Sequence, residues 1–114
     1  MVDFLEENTD IALLSPKICY PDGKVQILGK RNPHLKYIFA SRFRTDDLSS
    51  LLKEYAMLDT DLTKPVDIEN ASGCFMAFRT SVLKSIGGFD DRYFMYFEDA
   101  DITREVRRVS RAVY

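Results

Sequence analysis

Apolar and polar positions change phase several times along the chain, and each change marks an element. Met1 to Glu7 places Val2, Phe4 and Leu5 among acids, the apolar side of the last turns of a helix. Ile11–Ser15 is a short apolar run between Asp10 and Pro16, which predicts a buried strand. Tyr20-Pro21-Asp22-Gly23 carries turn chemistry, with proline fixing φ and glycine accepting a positive φ. Alternation resumes at Lys24, so Val25–Leu28 is expected to return as the second strand of a hairpin.

Arg31 to Thr45 mixes Pro33, basic residues and scattered aromatics and reads as a long connection. Leu48, Leu51, Leu52, Tyr55 and Leu58 then fall on one helical face, which predicts a helix over 46–58 capped by Asp46 or Asp47. After a polar loop at 59–65, Val66–Glu69 and Cys74–Phe78 read as strands. Thr80 is expected to cap a helix through Ile86, with Gly87 as its left-handed terminator. Phe89 to Phe97 is aromatic-rich and irregular. A last helix over 99–109 should bury Ile102, Val106 and Val109. The expected fold is α/β, a small mixed sheet of four strands flanked by helices.

Composition sets the scale. The 114 residues suffice for one small domain, and 46% hydrophobic residues support a packed core. The net charge of -2 gives no basic field for nucleic acid. No apolar run approaches the ~20 residues of a membrane helix. The first ten residues carry four acids and no base, which is not the pattern of a signal peptide. Cys19 and Cys74 fit no metal or redox spacing and are expected as buried, reduced thiols. Seven basic residues between Lys17 and Arg44, against Asp22 alone, form either a solvated face or a patch facing phosphates.

Candidate chemistry gathers in Gly87-Gly88-Phe89-Asp90 and the stretch Tyr93-Phe94-Met95-Tyr96-Phe97-Glu98-Asp99-Ala100-Asp101. Glu98, Asp99 and Asp101 fall at a helix start, where free N–H groups favour negative charge. Acidic capping of a surface helix explains this arrangement by itself. The flanking aromatics add a second reading, carboxylates held beside apolar surface. Burial and like charge raise a carboxylate pKa, as general acid–base work requires. Two further classes stay open: a structural module binding Ca²⁺ or Mg²⁺ through these acids, and an interaction domain using the 89–97 aromatics. The calcium-loop pattern with its internal glycine is absent, which weakens the first of these.

These residues, with Ser72-Gly73-Cys74-Phe75-Met76-Ala77-Phe78-Arg79 and the upstream Asp10 to Ile18 and Asp22 to Gln26, resemble the C-terminal half of family 2 glycosyltransferases of the GT-A type. The bacterial rhamnosyltransferase-like group is the most similar. The resemblance implies an inverting transfer of sugar from a nucleotide-diphosphate sugar to a hydroxyl of a glycan or lipid-linked acceptor, in cell-surface polysaccharide synthesis. It assigns Asp99 as the base and Glu98 as its orienting neighbour. Asp101, Ser72, Gly73 and Tyr96 become candidate substrate contacts, with helix placement the other reading of Asp101 and a plain loop that of Gly73. It implies a cytoplasmic location, free or at the inner face of the membrane.

The same resemblance predicts what lies elsewhere. Family members bind a divalent cation, Mn²⁺ or Mg²⁺, through an Asp-x-Asp upstream of this region. Asp59-Thr60-Asp61 has those letters but lies far downstream of the expected place. No cation ligands are therefore expected in this chain, nor are the nucleotide-binding βαβ units. Residues 1–114 are expected to be a single partial domain, inactive alone and prone to self-association. Glu105 stands where the family usually has a basic residue, with Arg104 beside it, and Ser110 where glycine is frequent.

Overall fold

The computed structural model describes residues 1–114 except Ile27, Gly29 and 43–45, and except the side chains of 38, 40–42 and 46–49. It begins with helix α1 (Val2–Glu7), followed by strand β1 (Ile11–Leu14). β1 is buried along its whole length, as its unbroken apolar run predicts. It is the middle strand of a three-stranded mixed sheet. On one side lies antiparallel β2 (Ala77–Phe78), with Leu13 opposite Phe78. On the other lies parallel β3 (Arg111–Val113), with Leu14 opposite Val113.

Each face of the sheet is covered by its own cluster. Phe4 and Leu5 of α1 pack on Ile11, Leu14 and Val113. The larger cluster sets Leu13 and Ala112 against Val106, with Ile68, Ala71 and Met57 filling the remainder. Val106 belongs to helix α5 (Glu98–Val109), whose chain leads directly into β3. Ile102 and Val106 are buried as predicted, but Val109 is 63% exposed. The backbone leaves the helix at Ser110 to enter β3, and that exit turns Val109 to solvent.

Arg79 fastens α1 to the sheet. Its amide donates to Ala12 O at 2.8 Å and Nε to Ile11 O at 3.2 Å. Its terminal nitrogen reaches Asn8 O at 3.2 Å and also Leu5 O. A guanidinium thus serves carbonyls left open at the end of a helix. Helix α4 (Thr80–Ser85) follows. Arg79 rather than Thr80 is its N-cap, without a side-chain cap bond, because β2 runs straight into the helix. Its far end matches expectation: the amides of Gly87 and Gly88, both at positive φ, donate to Lys84 O and Leu83 O. This is the Schellman closure.

Three expected strands shrink. The Tyr20–Gly23 turn forms, with Gly23 at φ +82°, but among the described residues of the hairpin only Cys19 and Val25 pair, as a bridge. Part of the predicted Val25–Leu28 strand lies outside the described residues. Val66–Glu69 contributes a bridge between Asp67 and Val113, with Val66 and Tyr114 exchanging backbone bonds. The Cys74–Phe78 segment is extended as a strand only from Ala77, because Gly73 and Cys74 turn. In their place β3, which follows the last predicted helix, completes the sheet.

The 31–45 connection contains a helix, α2 (Leu35–Arg42), packed on α3 (Asp46–Tyr55). Tyr37 is buried and stacks on Tyr55 at 4.8 Å, while Lys36 Nζ and the Tyr37 hydroxyl both donate to Glu54 Oε1. α2 forms by packing on a neighbour, and no strong apolar stripe announces it. α3 ends at Tyr55, short of the predicted Leu58; Met57 takes φ 54° and Leu58 is exposed. The expected caps Asp46 and Asp47 have side chains outside the described set.

Among the described members of the basic run, Lys17 is exposed and three others are paired. Lys24, Arg31 and Lys36 pair with Asp22, Glu69 and Glu54. Lys30 is 4% exposed, its ammonium 4.1 Å above the Tyr114 ring, and burial lowers its pKa. Its backbone joins the end of α3 to 69–70, donating to Tyr55 O and accepting from Glu69 and Asn70. Cys19 and Cys74 are both exposed, against the expected burial, because each sits beside a turn. No helix among the described residues is long and apolar enough to cross a membrane.

Arg111 clasps the sheet margin, donating to Asp10 Oδ2 at 2.6 Å and to both oxygens of Asp67 at 2.8 and 3.0 Å. This guanidinium holds the Asp10 carboxyl below its ordinary value. A carboxyl depressed on folding stabilises the fold when ionised, so its contribution is complete above the ordinary range of about 4 and is lost as pH falls through the depressed value. Arg111→Met should therefore be less stable than wild type at pH 7, with the gap narrowing below about pH 4. Urea unfolding across pH measures it; a gap independent of pH would contradict the clasp.

Candidate functional site

The chain enters α5 through two successive left-handed residues, Tyr96 at φ 68° and Phe97 at φ 67°. Neither is glycine, so this corner carries backbone strain that the surroundings must hold. Phe97 is the N-cap and offers no side-chain bond. One N–H of the first turn is met instead by an acid of that turn. Asp99 Oδ1 accepts the Ala100 N–H at 2.8 Å.

The second oxygen of Asp99 reaches another element. Oδ2 accepts the Gly73 N–H at 3.1 Å, across the loop that precedes β2. Gly73 and Asp99, far apart in sequence, thus share one site. With Glu98, Met76, Phe78 and Phe89 they line an open hollow of about 500 Å³. Phe78 and Phe89 meet edge to face at 6.0 Å, giving the hollow an aromatic wall. Glu98 Oε2 is buried there with no hydrogen-bond partner among the described residues.

The apolar surface beside the carboxylates differs from the predicted one. Phe94 is 95% exposed and Tyr96 72%, and Met95 and Phe97 also face solvent. The left-handed corner turns them outward, so Met76, Phe78 and Phe89 supply the apolar wall. Tyr96 lines neither this hollow nor its neighbour. Ser72 turns its hydroxyl to Cys74, accepting from the amide at 3.4 Å and donating to Sγ at 3.2 Å.

Asp101 occupies the other side of α5. It pairs with Arg104 in a second hollow of about 410 Å³, between Asn32–His34 and the rings of Tyr93 and Phe97. Its carboxylate is thus engaged by a guanidinium of its own helix, one turn on.

Tyr55 was read from the sequence only as part of an apolar helix face, yet it lies within electrostatic reach of Asp99. Burial pushes its hydroxyl above the ordinary value, and the charges of Asp99 and Tyr37 push the same way. Thr103, fully buried one turn after Asp99, also escaped attention, because a threonine between Ile102 and Arg104 carries no sequence signal.

Among the described residues no three His, Cys, Asp or Glu side chains converge as cation ligands. Asp61, in the Asp-x-Asp lookalike, is engaged by Thr63 through its amide and hydroxyl at 3.1 and 2.6 Å. The donor set does not fit the divalent cation that the resemblance implies.

Gly73 has no positive φ, and an added Cβ would meet Asp99 Cβ at 3.6 Å and Oδ2 at 3.7 Å, ordinary contacts. Gly73→Ala should therefore change stability by less than about 1 kcal/mol while filling part of the hollow. Thermal unfolding checks this, and a larger loss would show that the loop depends on glycine. No family model matches the chain, and no curated protein or solved structure matches it.

Proposed function

We propose that this chain is the acceptor-side part of an inverting family 2 glycosyltransferase of the GT-A type, with Asp99 as its general base. The observation that carries the reading is the Asp99 carboxylate, held by the Gly73 and Ala100 amides at the rim of an aromatic-walled hollow. Each oxygen accepts one of these N–H groups and keeps a lone pair for an acceptor hydroxyl. In the proposed step that hydroxyl oxygen forms a bond to the anomeric carbon of the donor. The bond from that carbon to the nucleoside diphosphate breaks, and the hydroxyl proton passes to Asp99. Glu98, on the same wall, orients the acceptor or the base.

A divalent cation, where bound, would neutralise the departing diphosphate. Its ligands, and the nucleotide-binding half, are proposed to lie outside this chain. Calorimetry of the chain with nucleotide-diphosphate sugars and Mn²⁺ should show no saturable binding. Tight binding would contradict the assignment of the donor site elsewhere.

The decisive test is made in the enzyme whose reading frame encodes this chain. Asp99→Asn keeps size and removes basicity, so turnover should fall ~10²–10⁴-fold with donor affinity nearly unchanged. Glu98→Gln should cost less. Near wild-type turnover in Asp99→Asn, with loss in Glu98→Gln or Asp101→Asn, would move the base elsewhere.

The exposed run Phe94–Phe97 favours a second reading, an association surface. Light scattering should then show self-association that Phe94→Ser with Tyr96→Ser reduces. A strict monomer at high concentration excludes it.

A further inference from the structure

The Gly73–Asp99 contact joins a loop to the start of a helix, and no strand pairing sets it. β2 begins only at Ala77, so the amides of residues 71–73 have no strand ladder to enter. Ala71 is nevertheless 1% exposed, and its methyl group belongs to the main core cluster. A buried backbone N–H in that position needs a partner. Thr103 supplies it: Oγ1 accepts the Ala71 N–H at 3.2 Å. The same hydroxyl donates to the carbonyl of Asp99, one turn back, at 2.6 Å.

A threonine in a helix commonly bonds back to the preceding turn, and there the interaction stays local. Here the lone pair left over is used by a second segment, so one hydroxyl becomes a cross-link. The connections close a ring. From the Asp99 carbonyl they pass through Thr103 Oγ1 to the Ala71 amide, along the backbone to the Gly73 amide, and from there to Asp99 Oδ2. Asp99 is thereby gripped at both its backbone and its carboxylate. Thr103 is fully buried and its hydroxyl has no water to turn to. Freed from Thr103, the loop would lose its register with the helix, and Gly73 its aim at Asp99.

We propose that Thr103 is a positioning residue for Asp99, its buried hydroxyl tying loop 71–73 to the first turn of α5 so that the Gly73 N–H stays on the Asp99 carboxylate. Its consequence for catalysis rests on Asp99 being the base; the link itself does not.

The test uses ¹⁵N-labelled chain and two amides as reporters. The Gly73 amide proton should be shifted downfield by its bond to the carboxylate, and Asp99→Ala should abolish that shift. Thr103→Ser keeps the hydroxyl and should preserve the shift and the slow exchange of Ala71 and Gly73. Thr103→Val keeps the shape and removes the hydroxyl. It should abolish the Gly73 shift and speed exchange at both amides by on the order of 10-fold, leaving Leu13 in β1 unchanged. If the valine variant does not fold, Thr103→Cys, with its weak S–H donor, is read for the same effects. A Gly73 shift and exchange unaltered in Thr103→Val, or lost equally in Thr103→Ser, would overturn the proposal; the second outcome would mean that the methyl group, not the hydroxyl, matters. Both readouts are independent of sugar transfer, so loss of the Thr103 link is distinguished from loss of the reaction assigned to Asp99.

Discussion

β1 is buried on both faces and paired along both edges, and the other elements are arranged by what that burial demands. Its backbone groups need partners on each side, which draws in antiparallel β2 and parallel β3. Its side chains need cover on each face, which fixes α1 on one and α5 on the other. Arg79 and Arg111 complete the arrangement at opposite margins, one on carbonyls of α1 and β1, the other on Asp10 and Asp67.

The site follows from this frame. β2 and β3 flank the same strand, so the loop entering β2 and the helix leading to β3 approach each other. Gly73 lies on that loop and Asp99 at the start of that helix. The sheet brings the two segments near, and hydrogen bonds set their final register. A carboxylate held by backbone amides is a better-defined acceptor than one on a free side chain, because its orientation is fixed before any ligand arrives.

The left-handed pair Tyr96–Phe97 separates two kinds of surface. Outside the corner, aromatic side chains project into solvent. Inside it, Phe78 and Phe89 pack edge to face and wall the hollow. The corner therefore leaves residues 94–97 out of the wall of the hollow that holds Glu98 and Asp99. Strain of this kind persists where neighbouring contacts over-determine it, and α5, pinned through Ile102, Thr103 and Val106, provides them.

Sequence alone determined the elements whose signals are local. The apolar run of β1, the turn at Tyr20–Gly23, the glycine closure after α4 and the stripe of Ile102 and Val106 each depend on neighbours within a few residues. The carboxylate cluster at a helix start was legible for the same reason. Tertiary structure decided what depends on distant partners. α2 exists because Tyr37 stacks on Tyr55 and Glu54 receives its polar groups, and no periodic stripe encodes that. β3 is three residues long and gains its identity only from the neighbouring β1. The short pairing at Asp67 likewise reflects the length of edge that β3 leaves open. Which aromatics flank Asp99 was misread because backbone handedness at 96–97, which turns four consecutive side chains outward, has no signature in residues that rarely adopt it. Thr103 became visible only when its two partners, Ala71 and Asp99, were seen to converge, since a hydroxyl that bridges segments 32 residues apart leaves no local pattern.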